Sequence, residues 1–336
     1  MMKSIAYVVP SPIADEASFT FHDIPTPKPG PQDLLVRVRA VSVNPIDYKI
    51  RASREGTADQ PVVLGWDAAG VVEAVGAKVT GFKAGDEVWY AGDLNRAGSN
   101  AELQTVDHRI VSLKPRSLGF AEAAAMPLTT LTAWEGLFDR LKVDREQTGV
   151  LLVVGGAGGV GSMVIQLARR LTALSVVATV SRPETEAWVR DLGAHHVIDH
   201  RRPLSEALAE LGLGQADHVY VTTQTEHHWP EVVATTKPQG SVLLIERQET
   251  LEMGEAWAKS LTVAWELMYT RSMYETDDIG RQGEILAEVA WRVDTGELRT
   301  TARTHLGPLT PESLREAHRL LESGTTIGKI TLDGLG

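Results

Sequence analysis

A chain of 336 residues is too long for one typical domain and comfortable for two. It carries 44 acidic and 33 basic side chains, and this net charge of −11 disfavours binding to nucleic acid or to anionic membranes. The absence of cysteine excludes disulfides, thiolate nucleophiles and cysteine-ligated zinc. Because the chain has no apolar run of the ~18 residues that a membrane span requires and opens without a signal-peptide pattern, we expect a cytoplasmic protein.

The first third of the chain is predicted to be rich in β-structure. Segments 1–12 and 33–43 have strand-like patterns, and segment 70–79 follows with glycines suited to tight turns. From 117 to 141 the pattern becomes helical, and Pro127 is expected to break the helix.

From residue 150 onward, strand-like and helical segments alternate. The strand-like segments are "VLLVVG", "LSVVATVS", "HHVIDH", "ADHVYVTT" and "GSVLLIE", with helical segments at "SMVIQLARRL" and "PETEAWVRDLG". Such alternation builds a parallel sheet with right-handed crossovers. An amphipathic helix ending near Gly296, a strand, a second helix and a closing strand "KITLDG" complete the pattern.

These elements predict an α/β protein in which a doubly wound domain is inserted into a β-rich domain. The β-rich substrate and catalytic domain is placed at 1–126, the doubly wound domain at 127–273, and a segment returning to the first domain at 274–336.

One glycine motif carries a specific function. Gly156, Gly158 and Gly161 form a G-x-G-x-x-G motif, with Gly159 and Val160 inside it, directly after an apolar strand and before a helix. Glycine permits the tight turn, the missing Cβ lets the backbone approach a pyrophosphate, and free N–H groups at the helix start attract the anion. The alternative is a plain strand–turn–helix connection with glycines for packing alone. The context favours dinucleotide binding.

The residues after the second strand of this domain bear on the choice between NAD and NADP. NAD-selective sites place an acid there to accept a hydrogen bond from the ribose 2′-hydroxyl. This chain has Ser181 and Arg182 instead, and Glu184 comes late enough to begin the next helix. A hydroxyl and a guanidinium suit a 2′-phosphate, so NADPH is the predicted cofactor, although Arg182 as a solvated loop residue is the alternative.

With these pieces placed, the chain resembles the medium-chain dehydrogenase/reductase superfamily, in the quinone oxidoreductase-like branch that is often described as zinc-type alcohol dehydrogenase-like. The resemblance covers almost the whole chain, through segments 41–51, 64–76, 85–93, 123–141, 154–169, 181–200 and 328–332. It implies a GroES-like substrate domain, a Rossmann cofactor domain, a cleft between the two, and a homodimer formed through the cofactor domains.

The residues argue against the catalytic zinc ion that zinc-dependent members of this superfamily bind. Zinc members coordinate the catalytic metal with an early Cys, a His about twenty residues later and a further Cys or acid near the domain junction. The matching places here hold Asn44, Trp66 and segment 127–130. Asp67 and His108 could hold a metal only weakly, because a stable site needs three or four converging ligands. We expect no functional metal.

Two histidine-rich stretches remain, "HHVIDH" at 195–200 and "EHHW" at 226–229. Both lie in the sequence of the cofactor domain. They are interpreted as surface or turn histidines rather than metal ligands.

Without a metal, hydride transfer from NADPH requires an acceptor that is already electrophilic. Zinc normally lowers the pKa of an alcohol and polarises its oxygen, whereas quinones and α,β-unsaturated carbonyls spread the developing charge over their own π-systems. The protein then supplies orientation and hydrogen-bond donors. The sequence therefore predicts a zinc-independent NADPH-dependent reductase of quinones or α,β-unsaturated carbonyls.

The candidate catalytic residues are Asn44, Tyr48 and Lys49, which the resemblance places on the lining of the cleft. Tyr48 or Lys49 could donate to the substrate oxygen or supply the proton, although packing of Tyr48 and a surface or cofactor role for Lys49 stay open. Asp47 is interpreted as organising the local backbone.

Other contacts follow from the resemblance. Thr129 is expected near the nicotinamide, and Lys329 is expected to reach the cofactor from the C-terminal segment. Trp66, Tyr269 and Met273 are candidate walls of the substrate pocket, with simple core packing as the alternative for Trp66 and a buried helix as the alternative for the stretch 265–278.

Two other functions stay open. The chain could bind NADPH with little turnover, as a sensor or structural protein, and the glycine motif fits that function equally well. It could also be a zinc alcohol dehydrogenase with an atypical metal site built without Cys.

Overall fold

The computed structural model describes residues 1–335, which form two compact units. The first unit comprises Met1–Leu128 and the segment from Tyr269 onward, and the second comprises Thr129–Met268. The boundaries therefore fall after Leu128 and Met268, whereas the sequence-based boundaries lie at 126 and 273. The difference has a local cause, because the Leu128 amide donates to Asp67 Oδ1 at 3.0 Å and Asn95 Nδ2 donates to the Met273 carbonyl at 3.2 Å.

The helices and strands are as follows. The strands are β1 (Met2–Tyr7), β2 (Thr20–Ile24), β3 (Asp33–Ser42), β4 (Val62–Val63), β5 (Asp67–Val75), β6 (Glu87–Tyr90), β7 (Leu103–Asp107), β8 (Val111–Leu113), β9 (Val150–Val154), β10 (Ser175–Val180), β11 (His196–Asp199), β12 (Ala216–Val221), β13 (Thr236–Leu244), β14 (Thr262–Trp265), β15 (Ala302–Pro308) and β16 (Lys329–Asp333). The helices are α1 (Pro45–Arg51), α2 (Phe120–Ala124), α3 (Pro127–Trp134), α4 (Gly159–Leu171), α5 (Pro183–Asp191), α6 (Leu204–Glu210), α7 (Thr225–Thr235), α8 (Gly254–Ala258), α9 (Thr270–Met273), α10 (Arg281–Asp294) and α11 (Pro311–Glu322). None of the helices within this described part of the chain has the length and hydropathy needed to cross a bilayer.

The first unit is built on two sheets that are mostly antiparallel. The larger sheet has the order β15-β16-β3-β5-β6-β8, with β7 also pairing with β3, and the smaller one has the order β2-β1-β4. The alternating segment 33–43 forms β3, whose inward residues are buried, so its strand prediction is confirmed. Strand β16 returns to β3 in an antiparallel register that pairs Thr331 with Ser42. This pairing brings a segment from late in the chain beside the residues that precede α1.

The second unit contains one fully parallel sheet, which confirms the predicted α/β class. Its six strands have the order β11-β10-β9-β12-β13-β14. The strand order reverses between β9 and β12, which is where such sheets bind ligands at their carboxyl edge. Apolar side chains of both faces are buried, Leu152 and Val219 on one face and Leu151 and Val153 on the other. The glycine motif leaves β9 at this reversal point.

The helical stretch is interrupted before Pro127, as the sequence indicated, because α2 ends at Ala124 and a new helix begins at Pro127. Proline suits the first helical turn, where its missing N–H has no intrahelical partner. Helix α3 starts there and continues as a π-helix over Glu135–Arg140. Gly136 in this π-helix fits because an added Cβ would lie 2.5 Å from Leu243 Cδ2.

Several elements are absent from the sequence-based prediction, among them α1, α7 and β14. Helix α1 has only seven residues, and α7 contains Pro230, which argues against a helix in any sequence-based prediction. Strand β14 ends at Trp265, the first residue of the stretch 265–278, for which a buried helix was the alternative considered. Its residues are half-buried or exposed, because β14 is the last strand of the parallel sheet.

Because of His318 on α11, we expect the stability of the first unit to fall at acidic pH. The imidazole is fully buried against Phe19, with ring centroids 4.9 Å apart, and neither ring nitrogen has a hydrogen-bond partner within residues 1–335. Burial, with the nearby Arg51 guanidinium, lowers the pKa of His318 to about 3. The unfolded chain therefore takes up a proton below about pH 6.5 that the folded chain refuses, so stability falls as the pH drops from there towards about 3. At about pH 5 the loss amounts to about 2 kcal/mol.

Urea unfolding at about pH 7.5 and about pH 5 tests this expectation on the wild type and His318→Leu. The variant should lose less stability on acidification than the wild type, by about 2 kcal/mol. His305→Leu, which removes a half-exposed imidazole of the same unit, should keep the wild-type pH response. Equal losses in the wild type and His318→Leu would contradict the assignment.

Candidate functional site

The first part of the site is the corner between β3 and α1. Asn44 precedes α1, and its backbone N–H donates to Asp47 Oδ2 at 2.6 Å. The other carboxylate oxygen of Asp47 accepts from the Gly65 amide at 3.1 Å. Asp47 is therefore a buried clamp between α1 and the segment that leads into β5, which agrees with its interpretation as a backbone-organising residue.

The same corner is cross-linked by a buried lysine. Lys329 Nζ donates to the Val43 carbonyl at 2.6 Å and to Asn44 Oδ1 at 2.7 Å, and lies 3.3 Å from Asp67 Oδ2. Asp67 Oδ2 also accepts from Asn44 Nδ2 at 3.1 Å. All four side chains, Asn44, Asp47, Asp67 and Lys329, are at most 4% exposed. We call these four residues the buried network.

Burial dominates the electrostatics of the buried network. It raises the pKa of Asp47 to about 7, against the opposing effect of the Asn44 amide and the Lys329 ammonium. It also raises the pKa of Asp67, against Lys329 and the Leu128 amide, and lowers the pKa of Lys329, against the two carboxylates. Burying any one of these charges alone would cost free energy, and its partners in the network offset that cost. Removal of one member therefore leaves the other buried charges without sufficient compensation.

The cofactor contact expected for Lys329 stays a prediction, and the structure shows what its ammonium contacts within the protein. The group is buried inside the first unit, and its contacts with Val43, Asn44 and Asp67 occupy it there. Sequence analysis did not predict this ion pair, because Lys329 and Asp67 are far apart in the chain and meet only through the pairing of β16 with β3 and of β3 with β5.

Trp66 lies between Gly65 and Asp67 and is fully buried. Gly65 has φ +96°, and an added Cβ would lie 2.7 Å from both Ser99 Oγ and Asn100 Oδ1, so the residue before the indole must be glycine. The indole packs against Gly92, whose added Cβ would lie 3.2 Å from Trp66 Cδ1. Core packing, the alternative considered for Trp66, therefore describes its position in the first unit.

The donor set at this corner does not fit a catalytic zinc ion. Trp66 offers no metal ligand, both oxygens of Asp67 accept hydrogen bonds, and Asn44 Oδ1 accepts from Lys329. Across residues 1–335, no group of three or more His, Asp or Glu side chains is arranged to hold a metal ion. The cation next to Asp67 is the lysine ammonium.

Tyr269 contributes an unusual hydroxyl to the first unit. The side chain is 2% exposed, and its hydroxyl has no hydrogen-bond partner in the described residues. Burial and the carboxylates of Asp47, Asp67 and Asp93 raise the pKa of Tyr269 well above its ordinary value. The phenol is therefore neutral, lies in the electrostatic field of the buried network, and has a donor to offer.

The remaining predicted residues of the first unit are less enclosed. Tyr48 is half-buried and Lys49 is exposed, both on α1. Met273 is half-buried at the end of α9, where its carbonyl accepts from Asn95. The roles proposed for these three side chains stay predictions.

The glycine motif of the second unit forms a cradle of the expected kind. Gly155 directly follows β9 and has φ +79°, and α4 begins at Gly159. An added Cβ on Gly156 would lie 2.9 Å from Ala178 Cβ, and one on Gly161 would collide with the Gly155 carbonyl. On Gly158, by contrast, an added Cβ would lie no closer than 3.7 Å to the protein. Packing therefore requires two of the glycines, while the third leaves open space beside the N–H groups at the start of α4.

This cradle fits the pyrophosphate of a dinucleotide. Gly159 and Val160 form the first turn of α4, so their N–H groups have no partner within the helix and carry the positive end of the helix dipole. Thr179 on β10 braces the loop, because its hydroxyl accepts from the Gly155 amide at 3.1 Å and its carbonyl accepts from the Gly156 amide at 3.2 Å.

The residues predicted at the ribose follow β10. Ser181 and Arg182 are half-buried, and Arg182 precedes α5 in an extended conformation. Glu184 lies in the first turn of α5, as the sequence indicated, and its carboxylate is 3.4 Å from the Arg182 guanidinium. Thr129, the first residue of the second unit, is buried in α3.

The fold and the two sets of residues define a nicotinamide-dependent oxidoreductase built from a GroES-like unit and a Rossmann unit. Comparison with known families agrees. The family description "alcohol dehydrogenase GroES-like domain" matches residues 30–135, and "zinc-binding dehydrogenase" matches residues 159–279. The chain belongs to the medium-chain dehydrogenase/reductase superfamily.

Relatives span the whole chain. A zinc-type alcohol dehydrogenase-like protein of Staphylococcus aureus is 36% identical over 337 residues, covering 99% of this chain and 100% of the relative. A 2-methylene-furan-3-one reductase of Solanum lycopersicum is 32% identical over 309 residues, covering 89% of this chain and 71% of the relative. The crystal structure of a candidate zinc-dependent alcohol dehydrogenase from Rhizobium etli superposes with a TM-score of 0.97 at 49% identity, covering 100% of this chain and 98% of that one. The zinc in these descriptions contrasts with the donor set of the present chain.

Proposed function

We propose that this chain is a zinc-independent, NADPH-dependent reductase that transfers hydride to a quinone or to an α,β-unsaturated carbonyl. The observation that carries the proposal is the buried network. In it Lys329 Nζ lies 2.7 Å from Asn44 Oδ1 and 3.3 Å from Asp67 Oδ2. The residues that would have to hold a catalytic metal in the first unit are committed to this lysine and to backbone amides.

The acceptor class follows from that chemistry. A plain alcohol or ketone needs its oxygen polarised strongly, and a bound metal ordinarily supplies that polarisation. A conjugated carbonyl or quinone delocalises the incoming charge, so hydrogen bonds to its oxygen suffice. The tomato relative carries a conjugated ketone in its name, which supports an acceptor of this kind.

The cofactor proposal rests on the second unit. The cradle at Gly156–Gly161 fits a pyrophosphate, and Ser181 and Arg182 stand where an NAD-selective site would place an acid. When bound, NADPH supplies the hydride. The residues of this chain hold its phosphates and orient it.

The donor to the substrate oxygen is proposed to be the Tyr269 hydroxyl, with Tyr48 as the second candidate. A buried hydroxyl without a protein partner costs free energy unless a ligand or water accepts its hydrogen bond. The raised pKa keeps Tyr269 protonated, so it can stabilise the developing oxyanion by donation. Trp66 is fully buried in the same unit and is proposed to support this region by packing.

The experiment follows NADPH absorbance with a benzoquinone, a naphthoquinone and an enone, and NADP reduction with a primary alcohol, each with and without EDTA. We expect turnover of the conjugated acceptors that EDTA does not change. Tyr269→Phe should lower kcat by about a hundredfold without changing NADPH affinity, whereas Tyr274→Phe, five positions on and 74% exposed, should act like the wild type.

Two outcomes would overturn the proposal. EDTA-sensitive oxidation of the alcohol, with stoichiometric zinc in the purified protein, would identify a zinc alcohol dehydrogenase with an atypical site. Tight NADPH binding without turnover of any acceptor would identify a cofactor-binding protein of the sensor or structural kind.

A further inference from the structure

Three histidines form a cluster in the second unit that the proposed function does not use. His200 directly follows β11, and His227 and His228 lie in the first turn of α7. The ring centroids of His200 and His228 are 5.7 Å apart, and those of His227 and His228 are 4.9 Å apart. His228 is 6% exposed. The interpretation of the histidines in the stretch 226–229 as surface or turn residues is therefore wrong for His228. We call these three residues the histidine cluster.

The histidine cluster is joined to the glycine cradle by hydrogen bonds. Thr179 Oγ1 lies 3.3 Å from His200 Nδ1 and accepts from the Gly155 amide at 3.1 Å. The hydroxyl can donate to Nδ1 or accept from it, according to the tautomer of His200, and either arrangement leaves Nε2 to face other partners. One threonine thus fixes both the start of the cradle and the orientation of an imidazole.

His200 also lies beside the residue predicted at the ribose. Strands β10 and β11 are parallel, Val180 pairs with Asp199, and the His200 amide donates to the Val180 carbonyl at 3.3 Å. The next residues, Ser181 and His200, therefore leave the sheet side by side at its carboxyl edge. Side chains alternate along a strand, so Ser181 follows Thr179 onto the face that carries His200.

The surroundings of His200 and His228 favour their neutral forms in the absence of an anion. Burial lowers the pKa of His200, Arg201 and His227 lower it further, and Asp199 opposes them. Asp199 is itself engaged by Arg201, whose Nε donates to both carboxylate oxygens at 3.0 Å. Burial, with His200 and His227, lowers the pKa of His228 to about 4. The positive end of the α7 dipole acts in the same direction.

An anion at this place would reverse the balance. A phosphate brings negative charge and strong acceptor oxygens, which favour a protonated imidazole. The 2′-phosphate of NADPH is an anion of this kind, and the proposed cofactor site places it beside Ser181 and Arg182, the residues next to His200.

Resting on the proposed cofactor, we propose that His200 binds the 2′-phosphate of NADPH and takes up a proton as it does so, with His228 positioning it from behind. The histidine cluster then adds to Ser181 and Arg182 as a determinant of preference for the phosphorylated cofactor. It also makes that preference depend on pH.

Binding measurements on the full chain test this proposal without any turnover. The affinities of NADPH, NADH and 2′,5′-ADP are titrated by calorimetry between about pH 6 and about pH 8, in two buffers with different ionisation enthalpies. For the wild type, the Kd of NADPH should weaken by about tenfold across this range, while that of NADH stays within about twofold. His200→Asn should bind NADPH more weakly at the acidic end and should lose most of the pH dependence. His228→Asn should show a smaller change in the same direction.

The bound phosphate titrates as well, with a second pKa of about 6. The informative quantity is therefore the difference in proton uptake between the wild type and each variant. Proton uptake on binding NADPH should be lower in His200→Asn than in the wild type. His196→Asn is the matched control, because His196 begins β11 and lies four residues, or about 13 Å of strand, from His200. It should retain the wild-type affinities and proton uptake.

The outcomes separate the two proposals. If His200→Asn and His228→Asn keep the wild-type pH profile and proton uptake, the role of the histidine cluster is wrong and the NADPH proposal stands. If the wild type binds NADH as tightly as NADPH at every pH, the cofactor proposal itself is wrong. His200→Gln serves as the second variant if His200→Asn has lost the wild-type circular dichroism spectrum.

Discussion

Lys329→Met is expected to lower the free energy of unfolding of this protein by about 3–5 kcal/mol, a large share of the stability of an ordinary domain. The substitution keeps most of the side-chain volume but removes a buried cation that donates to Val43 and Asn44 and neutralises Asp67. Asp67 would remain fully buried beside Asp47 with backbone and amide donors only. Urea unfolding followed by tryptophan fluorescence measures the loss, since Trp66 and Trp89 lie in the core of the affected unit.

A double-mutant cycle separates this electrostatic effect from lost packing. Asp67→Asn keeps an oxygen for the Leu128 amide while removing the charge, so Lys329→Met combined with Asp67→Asn should lose less than the two single losses together, by at least about 1 kcal/mol. Lys83→Met removes a lysine with an 84% exposed side chain from the same unit and should change stability by less than about 0.5 kcal/mol. Additive losses in the cycle would mean that Lys329 acts through packing alone.

The second large effect concerns the cradle in the Rossmann unit. Gly158→Ala places a methyl group in space that the protein leaves open, at a residue whose φ of −71° alanine adopts readily, so folding should be unchanged. The methyl group would nevertheless intrude on a pyrophosphate at the start of α4. We expect NADPH affinity to fall by more than about tenfold at unchanged thermal stability, measured by fluorescence titration and thermal unfolding.

Gly161→Ala makes the complementary case. Its Cβ would collide with the Gly155 carbonyl and lie 2.8 Å from Gly156 Cα, so the loop must move and both affinity and stability should fall. Gly280→Ala, a glycine of the first unit with open space around it and φ −62°, should change neither quantity. Unchanged NADPH affinity in Gly158→Ala would refute the cradle as the phosphate site.

Much of the fold follows from local sequence pattern. The alternation in 33–43 specifies β3, and the glycine motif between an apolar strand and a helix specifies β9, the cradle and α4. The parallel sheet follows because strand–helix alternation leaves few other topologies. Helix α7 was not predicted because Pro230 lies inside it and removes one backbone hydrogen bond. The helix forms nevertheless and packs against α6 and β13.

The candidate site is less accessible to sequence reasoning. Asp47 could be interpreted from its neighbours because its contacts to Asn44 and Gly65 are mostly local. The ion pair of Lys329 and the contact between His200 and Thr179 depend on strand registers that no local pattern encodes. The sequence also left open whether Trp66 lines a pocket or packs in the core, since burial depends on how Gly92 approaches the indole.

The return of β16 to β3 has a consequence for the order in which the chain becomes functional during synthesis. The early part of the GroES-like unit, with Asp47 and Asp67, leaves the ribosome before the whole Rossmann unit, and Lys329 follows later still. At ordinary translation rates this interval is on the order of ten seconds. Throughout it the two carboxylates lack their cation, so burying them is unfavourable and we expect the first unit to stay open. The Rossmann unit is continuous in sequence and can complete its sheet in the meantime, which gives the nascent chain a folded cofactor-binding half before it has a catalytic one.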